Sequence, residues 1–160
     1  MRRYPFAALL ALIFGVTGGH EVAAADSAAG RLLVAHPSLE DSNFAKTVVL
    51  ILRHGENGAF GLIINRFVDL RAPGEILALF SEEAPESDAR VAVHIGGPVE
   101  LDSTLVLHSP DYLMDRTDRL GDQFAVSPTV DTMIAKVRGK GPAEMRIIFG
   151  YAGWGPGQLE

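Results

Sequence analysis

Apolar and polar positions along this chain predict a series of short strands and two helices. Residues 31–35 and 47–52 are continuous apolar runs, which is typical of strands buried on both faces. Residues 54–58 contain an Asn-Gly turn signal and join the second run to the apolar residues 60–65, so a β-hairpin is predicted there. Further strands are predicted at residues 90–95, 104–108, 123–126 and 145–151.

Two segments have the pattern of helices, at residues 72–80 and after Ser127. The second pattern is the stronger one. Ser127 is the expected N-cap, Pro128 occupies the first helical position, Asp131 lies in the first turn, and Gly139 follows the end. Strands and helices joined mostly by hairpins or irregular connections predict a single α+β domain with mixed β-sheets and a few flanking helices.

The first 25 residues have the organisation of a secretory signal peptide. A pair of arginines precedes an apolar run at residues 5–16, and three alanines supply an A-x-A cleavage site before Asp26. The apolar run is shorter than the roughly 20 residues that a spanning helix requires. We therefore expect a signal peptide at residues 1–25, a domain at residues 26–160 without a transmembrane segment, and a periplasmic or secreted protein. An uncleaved anchor is the alternative.

The composition excludes several classes of site. The chain has no cysteine, so disulfides, thiolate zinc sites, iron–sulfur clusters and a cysteine nucleophile are absent. Its 14 Lys and Arg against 20 Asp and Glu give a net charge of −6, and the basic residues are scattered along the sequence. Nucleic-acid affinity depends on gathered cations, so direct DNA binding is not expected.

Catalytic and cofactor motifs are missing. The sequence contains no G-x-S-x-G, P-loop, H-E-x-x-H or G-x-G-x-x-G pattern, and no cofactor is expected. The histidines of the predicted domain are too far apart for a compact metal site: His36, His54, His94 and His108. Ser38 and Asp41 could form a hydrolytic constellation with a histidine only if the fold brings them together.

One group of residues near strand ends predicts a ligand pocket. Its glycines permit close backbone approach and offer free N–H groups, its tryptophan supplies an aromatic wall, and its asparagine supplies a polar side chain. The alternative is that these residues only fix tight turns. The predicted ligand-binding residues are Asn65, Gly96, Gly97, Gly153, Trp154 and Gln158.

The sequence from residue 30 to residue 160 resembles the YqgE/AlgH family of bacterial proteins. The last of the matching blocks is the most specific, and the order of the blocks makes a chance match improbable. They are LLVAHPSLEDSNFAKTVVLIL at 32–52, GAFGLIINR at 58–66, GGPV at 96–99, LVLH at 105–108 and GYAGWGPGQLE at 150–160.

The resemblance implies an α+β fold with mixed β-sheets and no established enzymatic activity. It also implies a label of transcriptional regulator, which comes from a link to alginate control. Family members usually look cytoplasmic, which is the alternative to export. They usually continue beyond the GQLE sequence, so the domain is expected to be truncated at its C-terminus and to expose apolar surface.

Three functions follow from these observations, in order of preference. The first is a non-enzymatic regulatory protein that binds a small ligand or a protein partner, because glycine-rich turns and an aromatic are present without a nucleophile–base motif. The second is a hydrolase that uses a Ser/Asp/His constellation. The third is a transcriptional regulator.

Overall fold

The computed structural model describes residues 27–83 and 86–159, and the predicted signal peptide lies outside them. Within the described part, no helix has the length and apolar character needed to cross a bilayer. The elements are β1 (Leu32–Val34), β2 (Val48–Gly55), β3 (Gly58–Ile63), β4 (Phe67–Arg71), α1 (Pro73–Ala78), β5 (Val91–Ile95), β6 (Val99–His108), β7 (Asp118–Leu120), β8 (Phe124–Pro128), α2 (Thr129–Val137) and β9 (Met145–Trp154).

The strands form a mostly antiparallel sheet in the order β1-β2-β3-β9-β6-β8-β7. The remaining two strands form an antiparallel pair, β4 with β5, and β5 joins β9 in parallel. The first half of β9 lies between β5 and β6, and its second half pairs with β3. This mixed sheet with two short helices confirms the predicted α+β fold.

The β2–β3 hairpin is confirmed, with a turn slightly different from the predicted one. Gly55 pairs with Gly58, so Glu56 and Asn57 form the two-residue connection. Gly58 has a φ of +105°, and a Cβ there would overlap the carbonyl oxygen of Trp154. A glycine is therefore required at this position both by conformation and by the close approach of β9.

The core lies on both sides of the sheet. On one side, α1 and α2 pack on β5, β6 and β9 around Leu77, Met133 and Ile147. On the other side, Leu50, Leu62 and Ile148 belong to a second cluster that brings β2 and β3 against β9. A third cluster packs Phe44 and Trp154 against the buried residues of β2 and β3.

Three sequence-based expectations need correction. β1 was expected to be buried on both faces, but it is an edge strand with exposed Leu32 and Val34. Ser127 is not the N-cap of α2, because it belongs to β8 and its hydroxyl bonds to other side chains. The strands β4 and β7 were missed, since both are short edge strands that carry charged side chains and little of the buried apolar pattern.

Candidate functional site

Asn65, the polar member of the predicted pocket, holds a neighbouring loop in place. Its Oδ1 accepts a hydrogen bond from the N–H of Val48 at 2.9 Å, and its Nδ2 donates to the carbonyl of Lys46 at 2.9 Å. Lys46 has a φ of +61°, which is uncommon for a residue with a side chain. Asn65 therefore fixes the strained entry into β2.

Gly96 and Gly97 are buried where β5 ends, against β9. The N–H of Gly96 donates to the carbonyl of Phe149 at 2.8 Å, and its carbonyl accepts from the N–H of Ile63 at 2.8 Å. A Cβ on Gly97 would overlap the carbonyl group of Tyr151. These glycines permit close packing of two backbones, which is the structural alternative to ligand binding.

Gly153, Trp154 and Gln158 lie together at the end of β9. Trp154 packs on Phe44 with ring centroids 5.9 Å apart, and the Oε1 of Gln158 accepts from the N–H of Gly155 at 2.9 Å.

Trp154 and Asn65 lie near opposite ends of β3. Trp154 pairs with Ala59, near the start of the strand, whereas Asn65 follows its end. Asn65, Gly96, Trp154 and Gln158 each have a contact within the protein, and ligand binding by the six predicted residues stays a prediction.

The hydrolytic residues are brought together only in part. Nδ1 of His36 and Oγ of Ser38 lie 2.7 Å apart, and both residues are exposed. Asp41 does not complete the constellation, since its Oδ1 accepts hydrogen bonds from the N–H groups of Asn43 and Phe44. Among the described residues, no three His, Asp or Glu side chains are placed to hold a metal ion together.

A cleft of about 360 Å³ opens where β5 and β9 begin, beside the end of α2. Ala92 of β5 pairs with Arg146 of β9 in the parallel register, and both residues line the cleft. The cleft is lined by Arg90, Ala92, His94, Lys136, Ala143, Glu144, Met145 and Arg146.

The three cations of this cleft have no carboxylate partner among the described residues. Arg90 donates to the carbonyls of its own connection, Lys136 to the carbonyls of the loop before β9, and Arg146 to the carbonyl of Ile64 at 3.3 Å. The ion pairs of the described residues are formed by other arginines: Arg53, Arg71, Arg116 and Arg119. Glu144 is the only acidic side chain in the lining, so the described cleft carries more positive than negative charge.

His94 belongs to the same lining and is 7% exposed. Its Nδ1 is buried without a hydrogen-bond partner in the described structure, and the ring of Phe67 packs edge-on at 5.7 Å. Burial lowers the pKa of His94, the positive charge of Arg146 lowers it further, and the carbonyl of Ala92 acts in the opposite direction. The imidazole is therefore neutral at pH 7, and the charge of the cleft comes from its Arg and Lys residues.

A second, smaller cavity of about 80 Å³ shares the side chains of Glu144, Met145 and Arg146 with the cleft. His108 lies in its wall, and its Nδ1 donates to the carbonyl of Ser109 at 2.7 Å. In the neutral ring Nε2 then accepts from the Ser127 hydroxyl, which lies at 2.8 Å. Ser127 in turn lies 2.6 Å from the Thr117 hydroxyl.

Burial lowers the pKa of His108, although the Ser109 carbonyl and the charge of Asp111 act in the opposite direction. The neutral ring completes a buried chain of hydrogen bonds, in agreement with this lowered pKa.

The cleft has no signature in the sequence, because its cations come from three separate segments: before β5, at the end of α2 and in β9. No local motif connects Arg90, Lys136 and Arg146. The pairing of β5 with β9 brings Arg90 near Arg146, and α2 supplies Lys136.

Several known bacterial proteins are similar to this chain in sequence. Residues 32–160 match the model of the AlgH-like family. A UPF0301 protein of Rhizobium meliloti is 42% identical over 137 residues, which cover 82% of this chain and 68% of the relative. A UPF0301 protein of Cereibacter sphaeroides is 44% identical over 133 residues, which cover 82% and 72%.

Two solved structures have similar folds. The solution structure of the AlgH protein from Pseudomonas aeruginosa has a TM-score of 0.64 and 36% identity, and the match covers 80% of this chain and 68% of that protein. The crystal structure of protein DIP2367 from Corynebacterium diphtheriae has a TM-score of 0.63 and 27% identity, with coverage of 82% and 68%. The resemblance found in the sequence is confirmed, and the chain belongs to the AlgH-like family, whose biochemical function is not established.

Proposed function

We propose that this protein is a non-enzymatic regulatory protein that binds a small anionic ligand in the cleft between β5 and β9. The observation that carries this proposal is the placement of Arg90, Lys136 and Arg146 around one cavity without carboxylate partners in the described structure. In a chain with a net charge of −6, such a concentration of cations favours an anion at this place on the surface.

The chemistry of the lining favours a carboxylate or phosphate group. Arg146 is half-buried, and its guanidinium has five N–H donors, of which one is used by the carbonyl of Ile64. A planar guanidinium can hold two oxygens of one anion, and such charge-assisted bonds are stronger than neutral ones. The volume of about 360 Å³ suits a small molecule and is at the lower end of typical ligand pockets.

The test is a titration of the purified protein with inorganic phosphate and with succinate, followed by calorimetry. We expect binding of at least one of these probes, and Arg146→Gln should weaken it about tenfold or more because a charge-assisted hydrogen bond is lost. Arg116→Gln is the matched control, since Arg116 is an exposed arginine that pairs with Asp131 away from the cleft. Absence of binding to both probes, or equal binding by the Arg146 variant, would contradict the proposal.

A hydrolase is the second candidate function, and the hydrogen bond between His36 and Ser38 is the observation that favours it. A serine hydroxyl next to an imidazole can act as a nucleophile. The assay is hydrolysis of p-nitrophenyl acetate by the wild type and by Ser38→Ala. A rate that is unchanged by this substitution removes the candidate.

DNA binding ranks third, because the cations described above line a small cleft and not an extended surface. Salt-dependent retention of the protein on duplex DNA would favour it instead. Export by the predicted signal peptide is a separate proposal, and the intact mass of the protein from the periplasmic fraction tests it.

A further inference from the structure

The strand β4 presents an apolar edge to solvent. Phe67, Val68 and Leu70 are 58%, 55% and 53% exposed. β4 pairs with β5 on one side only, so its other edge has no strand partner within the described residues. An edge of this kind, with exposed apolar side chains, is a template for pairing with another strand.

The backbone of Leu70 points toward this free edge. Its N–H donates to Oδ1 of Asp69 at 2.8 Å, and therefore not to β5. The N–H and C=O of one strand residue point in the same direction, so both groups of Leu70 face an added strand, whose carbonyl would replace the Asp69 carboxylate as acceptor for the N–H. This is the arrangement that a hydrogen-bonded pair of residues on a two-fold axis requires.

The charged residues on either side of Leu70 would meet opposite charges in a second copy that is related by a two-fold axis. Asp69 and Arg71 lie on the same side of the strand and pair with each other at 3.1 Å, and Arg71 also contacts Glu75. An antiparallel second copy centred on Leu70 would place Asp69 opposite the partner's Arg71, and Arg71 opposite the partner's Asp69. Opposite charges across a strand pair stabilise that register.

We propose that two copies of this chain associate through β4, antiparallel and with Leu70 on the two-fold axis. The mixed sheet then continues across the dimer, and the contact is isologous. Leu70 pairs with Ala92 of the cleft on β5, so the two clefts face the same side of the joined sheet.

The test is sedimentation velocity of the full chain over a range of concentrations. We expect the wild type to shift from monomer to dimer as its concentration rises. Asp69→Arg places two pairs of arginines opposite each other, and Arg71→Asp places two pairs of aspartates opposite each other. Each variant alone should therefore dimerise at least about tenfold more weakly, since like charges across a strand pair are destabilising.

An equimolar mixture of these two variants makes the test specific for the register. In a mixed dimer every arginine faces an aspartate, so association should return to the wild-type level. Asp122→Arg, in an exposed pair with Arg119, is the control and should dimerise like the wild type. Leu70→Lys adds a second test, because two ammonium groups would meet on the axis.

Circular dichroism of each variant is the control for correct folding. A wild type that stays monomeric at every concentration overturns the proposal. Dimers that survive both single substitutions, or a mixture that stays monomeric, also overturn it, because the contact then lies elsewhere or has another register.

Discussion

Ser127 illustrates how a single side chain can have a role that its sequence context does not predict. The pattern Ser-Pro before an amphipathic segment predicts an N-cap, yet Pro128 occupies that position and no side chain caps α2. The Ser127 hydroxyl instead connects His108 to Thr117 inside the protein. A buried polar chain with all its members bonded is stable, but removal of one member leaves the others unsatisfied.

We therefore predict that Ser127→Ala lowers the free energy of unfolding by about 1–3 kcal/mol, the usual cost of an unsatisfied buried group. Urea denaturation at pH 7.5 measures this change. Ser42→Ala is the control, because Ser42 is exposed and should be replaced without loss. Equal stability of the two variants would show that the chain of hydrogen bonds contributes little.

The two buried histidines predict a pH dependence of stability. Burial lowers the pKa of His94 and of His108 in the folded protein, whereas both return to about 6.5 on unfolding. The unfolded chain then binds more protons as the pH falls below about 6.5, so the folded state loses stability there. Above that range both histidines are neutral in both states, and their contribution is constant.

Urea denaturation at pH 7.5 and at pH 5.5 should accordingly show lower stability at the lower pH. The double variant His94→Gln/His108→Gln should reduce the difference between the two pH values, even if it is less stable at both. A difference as large as that of the wild type would assign the pH dependence to other groups.

At the scale of elements, Gly150 allows β9 to pair with two different parts of the sheet. It has a φ of +69°, and it lies between the half of β9 that pairs with β5 and the half that pairs with β3. A Cβ at Gly150 would lie 2.8 Å from the carbonyl oxygen of Gly97. Conformation and space both exclude a side chain at this bend.

Gly150→Ala should therefore destabilise the fold by at least about 1–3 kcal/mol, the cost of a strained backbone conformation. The matched control is Gly155→Ala in the same segment, where the nearest atom to a new Cβ would be Oε1 of Gln158 at 3.7 Å. Thermal unfolding of both variants makes the comparison. A melting temperature that is equal for the two would contradict this role of Gly150.

The elements with buried residues could be predicted from the sequence, and the exposed ones could not. The apolar runs of β2, β3 and β9 and the amphipathic pattern of α2 identified them, because burial imposes a pattern. β4 has five exposed residues, so nothing distinguishes it from a loop until β5 supplies its partner. The same limit applies to the cleft, whose cations share no local pattern.

At the scale of the whole molecule, charge is distributed unevenly in a way that the composition conceals. A net charge of −6 with basic residues scattered along the sequence argued against direct DNA binding. The pairing of β5 with β9 nevertheless places Arg90 and Arg146 beside Lys136. Total charge therefore predicts solubility better than it predicts ligands, because a site depends on how a few side chains are arranged.

The position of β9 also determines how the chain can fold. Three local units precede it in the sequence, β1–β2–β3, β4–β5 and β6–β8–β7, and in the strand order they are joined only through β9. The contact between Ala59 and Trp154 spans much of the described chain. Such non-local pairing closes long loops and slows folding. During synthesis, the edges of these three units that pair with β9 therefore stay unpaired until β9 has left the ribosome. Chaperones are most needed in this interval.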